Sequence, residues 1–210
     1  MRVLLARHGV SSGNLDRVFQ GHMDTTLSPV GEQQAACLAE RLATEEISAV
    51  YSSDLQRAWR TAEIVTAGRG LLVHLDPAWR ELGLGEWEGL TREEVIARFP
   101  GIWEQRQRDP LNVPPPGGEG QREVLLRVTT SLQRLVETHR HETILIVTHA
   151  AVLGLLSAWA YNLDLASNAV RWRSSNCGLS CLRWDGDAPQ VEYWNDVTHL
   201  PPELTTIQWT

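Results

Sequence analysis

The sequence contains no lysine, so every basic side chain apart from histidine is an arginine. That excludes mechanisms built on an amine, such as a Schiff base or a phosphate-binding loop of the Walker type. Cysteine is scarce. Cys37, Cys177 and Cys181 are odd in number and show no C-x-x-C spacing, so neither a disulfide framework nor a zinc knuckle is indicated and buried free thiols are expected. Cys177 and Cys181, four positions apart, are expected on one face of a strand. No apolar run approaches the roughly 20 residues needed to cross a bilayer. The largely apolar start, Met1 to Ala6, runs straight into Arg7 and His8 and has neither the length of a signal h-region nor a cleavage site. A cytoplasmic protein with no membrane partner is therefore expected. The formal net charge of -7 argues against general nucleic-acid binding. His139 and His141 form only an isolated pair at the end of a helical stretch, so no metal and no cofactor are expected.

What is present suits one compact domain over residues 1–210. Arg2 to Ala6 reads as a buried strand and Val10 to Thr26 as a polar loop. Ser28-Pro29 opens a helix to about Leu42, with proline at the first helical position. Ala49 to Ser52 is a strand, and Asp54 is expected to cap a helix from Leu55 to about Val65. Leu71 to Leu75 is a third strand candidate, and Gly83 to Gly89 a turn region. Thr91 to Glu94 has the capping-box pattern and opens a short helix to Phe99. Pro110 to Gly120 is loop, and Glu123 to about Thr138 an amphipathic helix with Leu125, Val128, Leu132 and Leu135 on its apolar face. Thr143 to Val147 is a short, β-branched, fully apolar strand, followed by a helix to about Ala160. Leu179 to Trp184 and Val191 to Trp194 read as a final strand pair joined through Asp185-Gly186. Strands alternating with helices predict an α/β three-layer sandwich, a mainly parallel sheet covered on both faces.

Two histidines, His8 and His149, each follow directly on an apolar strand. Strands distant in sequence can be neighbours in a parallel sheet, and the crevice at their C-terminal ends is where ligands bind. One histidine in such a place is more often structural; two at matching places, one preceded by Arg7, point to a site. Arg57 falls in the first turn of a helix that follows a strand, where its charge adds to the positive end of the helix dipole. Alone it would read as a solvated helix arginine. Together these like charges repel unless an anion is present, and arginine suits a phosphate dianion.

The motifs resemble those of the histidine phosphatase superfamily, in its phosphoglycerate-mutase-like branch. Arg7-His8-Gly9-Val10-Ser11-Ser12-Gly13-Asn14 matches the RHG-x-[ST]-x-x-N signature, with Gln20-Gly21 following. Leu27 to Ala35, Tyr51-Ser52-Ser53-Asp54-Leu55-Gln56-Arg57-Ala58, Arg80 to Gly89, Pro116-Gly117-Gly118-Glu119 and Val147-Thr148-His149 match further blocks in the family's order over nearly the whole chain. Ala150 stands where a glycine often follows the second histidine, and Gly120 where a serine often follows.

The resemblance implies a metal-independent phosphoric monoester hydrolase of histidine acid phosphatase type, with the fold just described. It implies that His8 is the nucleophile and passes through a phosphohistidine, and that Arg7, Arg57 and His149 assist catalysis while holding phosphate oxygens. Asn14, the N–H of Ala150, Ser11, Gln20 and Gly21 complete the implied phosphate-binding set. Glu81 is implied as general acid and then base; without the resemblance it could not be chosen over Glu86 or Glu88. The implied partner is a small phosphorylated metabolite, with a homodimer as the expected assembly. A phosphoglycerate mutase is the alternative. The stretch from Glu88 to Pro116 is short for one: it carries Arg92, Arg98, Arg106 and Arg108 but lacks the adjacent basic residues of a mutase insertion. A catalytically silent phosphate-binding module is a further alternative, disfavoured because no implied catalytic residue is missing. Substrate choice is expected to lie in Leu15 to Thr26 and Phe99 to Gly118, and the tryptophans hint at an apolar or ring-bearing leaving group.

Overall fold

The computed structural model describes residues 1–165, 174–186 and 188–205. Among these residues the sheet has six strands in the order β3-β2-β4-β1-β5-β6. They are β1 (Arg2–Arg7), β2 (Ile47–Ser52), β3 (Val73–Leu75), β4 (Thr143–Thr148), β5 (Leu179–Trp184) and β6 (Pro189–Asp196). The first four are mutually parallel; β5 runs antiparallel to β1, and β6 antiparallel to β5.

Residues of β1 alternate between two cores, and so do those of β4. Val3, Leu5, Ile144 and Ile146 face α6 (Gln121–Thr138) and α7 (Ala150–Ala160). Leu4, Ala6, Leu145 and Val147 face α2 (Pro29–Arg41) and α3 (Gln56–Thr66). Burial on both faces explains why these central strands read as unbroken apolar runs. The result is a three-layer α/β sandwich, and no helix among the described residues is long and apolar enough to cross a membrane.

Register fixes the site. Arg7 of β1 stands opposite Thr148 of β4, and Ser52 of β2 opposite Val147. His8, His149 and Ser53 therefore leave three adjacent strands at one level, although they lie far apart in sequence.

Several local expectations differ from the structure. The loop after β1 contains a short helix, α1 (Ser12–Leu15), closed by a capping box between Ser11 and Asn14. Asp54 does not cap α3. The N-cap is Leu55, which uses no side chain, while Asp54 accepts a two-pronged ion pair from Arg80 at 2.7 and 2.6 Å. β3 begins at Val73 rather than Leu71 and is an edge strand, paired on one side only. α4 (Arg92–Arg98) has the expected Thr91–Glu94 capping box, but a further helix follows it, α5 (Pro100–Arg108). No residue of α5 is buried, so no apolar periodicity marked it. Only Cys181 lies in β5. Cys177 sits in the preceding turn at φ 53°, although both sulfurs pack in one cluster and all three cysteines are free thiols.

Candidate active site

His8 is almost wholly buried. Its Nδ1 lies 2.6 Å from the carbonyl of Gly9, which can only accept, so the ring proton sits on Nδ1 and the lone pair on Nε2. The turn that permits this is tight: a Cβ on Gly9 would fall 2.5 Å from the carbonyl oxygen of Gly31. The Gly9 N–H donates to Thr61 Oγ1 at 3.1 Å, and Asn176 Nδ2 donates to the His8 carbonyl at 2.9 Å. The backbone of His8 is thus held from α3 and from the segment ahead of β5.

His149 is fully buried, its ring centroid 5.1 Å from that of His8. Its Nε2 lies 2.8 Å from Ser53 Oγ, which accepts from the Leu55 N–H. With the hydroxyl proton directed at Nε2, the ring proton falls on Nδ1. That atom is buried and has no hydrogen-bond partner among the described residues, so it is a donor available to an anion. Burial, followed by the charges of Arg57 and Arg7, holds His8 well below the usual histidine range. His149 is lowered likewise, by burial first, then by Arg57, His8 and Arg7. Both imidazoles are therefore neutral near pH 7.

The guanidiniums are buried too. Arg57 donates through Nη2 to the Gly21 carbonyl and through Nη1 to the Met23 carbonyl, each at 2.8 Å, with a longer contact from Nη1 to Thr25 Oγ1 at 3.4 Å, and these aim the group. Burial pulls its pKa down to about 10, still charged at neutral pH. Gly21 sits at φ 50°, and a Cβ there would collide with the Glu88 carboxylate. Arg7 donates through Nη1 to the Ser174 carbonyl at 2.8 Å. Two buried cations give the crevice a positive potential that suits an anion.

The other expected residues divide. Asn14 commits its Oδ1 to Ser11 N–H at 3.1 Å and Ser11 Oγ at 3.0 Å, so Nδ2 is what it can offer a ligand. Ser11 Oγ, fully buried, lies 2.7 Å from Gln20 Oε1, so Ser11 and Gln20 are engaged with each other. Gly21 contributes its carbonyl to Arg57. Ala150 is the first residue of α7, and the next N–H, that of Ala151, donates to both Glu81 oxygens at 3.1 and 3.2 Å. Glu81 Oε1 also accepts the Leu82 N–H at 2.9 Å. Its carboxylate thus rests on the N-terminus of the helix that follows His149. Glu88 instead accepts the backbone N–H groups of His22 and Leu84, each at 2.9 Å, a structural duty that separates it from Glu81.

Sequence reasoning missed Ser53, Thr61, Ala151, Ser174 and Asn176 as members of this assembly. Their contributions are mainly backbone groups and ordinary hydroxyls or amides, which carry no spacing signal.

A crevice at parallel strand ends, with two buried guanidiniums, two neutral imidazoles and an oriented carboxylate, has the charge and donor set that suit a phosphate group. The chain belongs to the histidine phosphatase superfamily (branch 1), whose model matches residues 3–197. It is 38% identical over 202 residues to phosphoglycerate mutase-like protein 4 of Arabidopsis thaliana, covering 94% of this chain and 86% of that protein. The structure resembles YhfR of Bacillus stearothermophilus with a TM-score of 0.90 and 34% identity, covering 94% of this chain and 98% of that one. It also resembles the alpha-ribazole phosphatase of Shigella flexneri, with a TM-score of 0.86 and 30% identity over 93% of this chain and 96% of that one.

Proposed function

We propose that this chain is a phosphomonoesterase that hydrolyses a small phosphorylated metabolite without a metal, through a phosphoryl group carried on His8, and that residues 1–210 act as one catalytic unit. The observation that carries this reading is the state of His8: a buried imidazole whose Nδ1–H is fixed on Gly9 and whose Nε2 is kept unprotonated by burial and by the charges of Arg57 and Arg7.

In the first step Nε2 attacks phosphorus in line with the ester oxygen. The N–P bond forms, the P–O bond breaks, and Glu81 gives its proton to the leaving alkoxide. In the second step a water oxygen attacks phosphorus while Glu81 takes back a proton. The N–P bond breaks and orthophosphate leaves with His8 neutral again. Arg7, Arg57 and His149 hold the non-bridging oxygens throughout, with Asn14 as a further donor and the N–H of Ala150 at the helix terminus beside them. The cationic charge that a metal would bring is supplied by the two arginines.

The similarity to the alpha-ribazole phosphatase of Shigella flexneri supports hydrolysis of a metabolite ester. The similarity to phosphoglycerate mutase-like protein 4 favours a second reading, transfer between positions of one substrate. Phosphate release from an aryl phosphate in EDTA, comparing wild type with His8→Ala, tests the first. Turnover by wild type alone supports it. Loss of turnover in EDTA, or equal turnover by both proteins, overturns it. Positional transfer faster than phosphate release selects the mutase.

A further inference from the structure

Glu81 lies in a stretch with no regular secondary structure, between the 3-10 turns Pro77–Trp79 and Gly85–Trp87. A proton donor must be held to within about half an ångström, and such a segment cannot do that unaided. Its carbonyl is gripped from two sides. His22 Nε2 donates to it at 2.8 Å and Arg127 Nη2 at 2.9 Å. Arg127 reaches from α6 and also donates through Nη1 to the carbonyls of Ala78 and Arg80, at 2.7 and 2.8 Å.

Glu119 locks the two donors together. It accepts from Arg127 Nε at 3.1 Å and Nη2 at 3.0 Å, accepts the Gly83 N–H at 2.7 Å, and lies 3.5 Å from His22 Nε2. Burial acts to raise its pKa, but the hydrogen bonds from His22, Arg127 and Gly83 prevail and hold it at about 2. The anion therefore persists at any working pH.

His22 has a second connection. Its chain neighbours, Gly21 and Met23, supply the carbonyls that aim Arg57. Three successive residues thus bridge the site: the outer two hold the phosphate-binding guanidinium, and the middle one holds the acid-bearing segment. We infer that His22, backed by Glu119 and Arg127, is a positioning residue that sets Glu81 at a fixed distance from the phosphate cradle. The inference rests on the reading of Glu81 as general acid.

The test exploits leaving groups. An alkyl phosphate needs a proton donor for P–O cleavage, whereas an aryl phosphate with an acidic phenol does not. Three variants are compared by single-turnover phosphorylation with each ester and by thermal melting: Glu81→Gln, His22→Phe, which keeps ring volume but removes the donor, and His22→Gln, which keeps a donor. General acids are worth about 10²–10⁴-fold, so His22→Phe is expected to slow the alkyl ester by roughly tenfold or more while changing the aryl ester by less than about threefold. His22→Gln is expected to recover most of that loss. Equal slowing of both esters, or no slowing of either, in a His22→Phe protein that melts like wild type overturns the inference. So does a His22→Gln variant no better than His22→Phe, a comparison that stands even where removing the ring lowers stability. If Glu81→Gln itself shows no leaving-group dependence, the assignment of the acid fails and the inference falls with it. A leaving-group effect at Glu81 without one at His22 overturns the positioning role alone.

Discussion

His8 and His149 stand with ring centroids 5.1 Å apart because the residues before them, Arg7 and Thr148, are cross-strand partners in β1 and β4. Neither ring takes up a second proton readily. Each is buried, and each faces Arg57 and Arg7.

This predicts the acid limb of the pH–rate profile. His8 is lowered from its ordinary value, so kcat/KM for an aryl phosphate should stay high below pH 6.5 and fall only as Nε2 takes up a proton. In Arg57→Met one of the repelling charges is gone, so the acid limb should move to higher pH, alongside a loss of about 10²-fold or more for the missing transition-state contact. An acid limb unmoved or shifted downward in Arg57→Met would show that the guanidinium does not set the protonation of His8.

Stability should carry the same signature. For a histidine whose folded pKa lies below its unfolded value, the unfolded chain binds more protons between the two, so stability falls as pH drops from about 6.5 toward the folded value. With His8 and His149 both lowered, the denaturation midpoint should fall steadily over that window. His149→Asn should flatten the slope. Urea melts at a series of pH values measure it.

Inorganic phosphate should stabilise the fold. A dianion relieves the buried cations, and a ligand at a hundredfold excess over its Kd contributes about 2.7 kcal/mol. Thermal melts with and without phosphate should separate for wild type and converge for Arg57→Met.

The turn at Gly9 should tolerate no side chain. Its Cβ position is 2.5 Å from the backbone oxygen of Gly31, an atom that cannot swing aside. Gly9→Ala should cost roughly 1–3 kcal/mol by overpacking. It should also depress activity beyond what lost folding explains, because the Gly9 carbonyl holds the His8 tautomer. Chemical denaturation and kcat measured at full folding distinguish the two effects.

Much of the architecture was legible before any coordinates. The unbroken apolar runs of β1 and β4, the proline at the start of α2 and the Thr91–Glu94 cap each encode local structure through nearest-neighbour physics, and each appears as expected. The failures are where local signals were absent or outbid. α5 has no fully buried residue and packs mainly through Trp103 on Phe19 and Trp87, so it has no long apolar stripe. Asp54 had the right position to cap α3, but a charge-assisted pair with Arg80, 26 residues away, took its oxygens. The shared anchor of His22 and Arg127 on the Glu81 carbonyl spans 59 and 46 residues of chain and ends on a backbone atom, which no residue pattern can announce.

The amino-acid sequence by itself determined the order of the strands and of the longer helices, the family, and the side chains that meet at the strand ends, because these follow from hydrophobic periodicity and from residue types in a fixed order. Only the tertiary structure decided which histidine nitrogen carries the proton, which backbone carbonyls aim Arg57, and what grips the segment bearing Glu81. Those depend on strand register and on burial, which set distances and local dielectric between residues far apart in the chain.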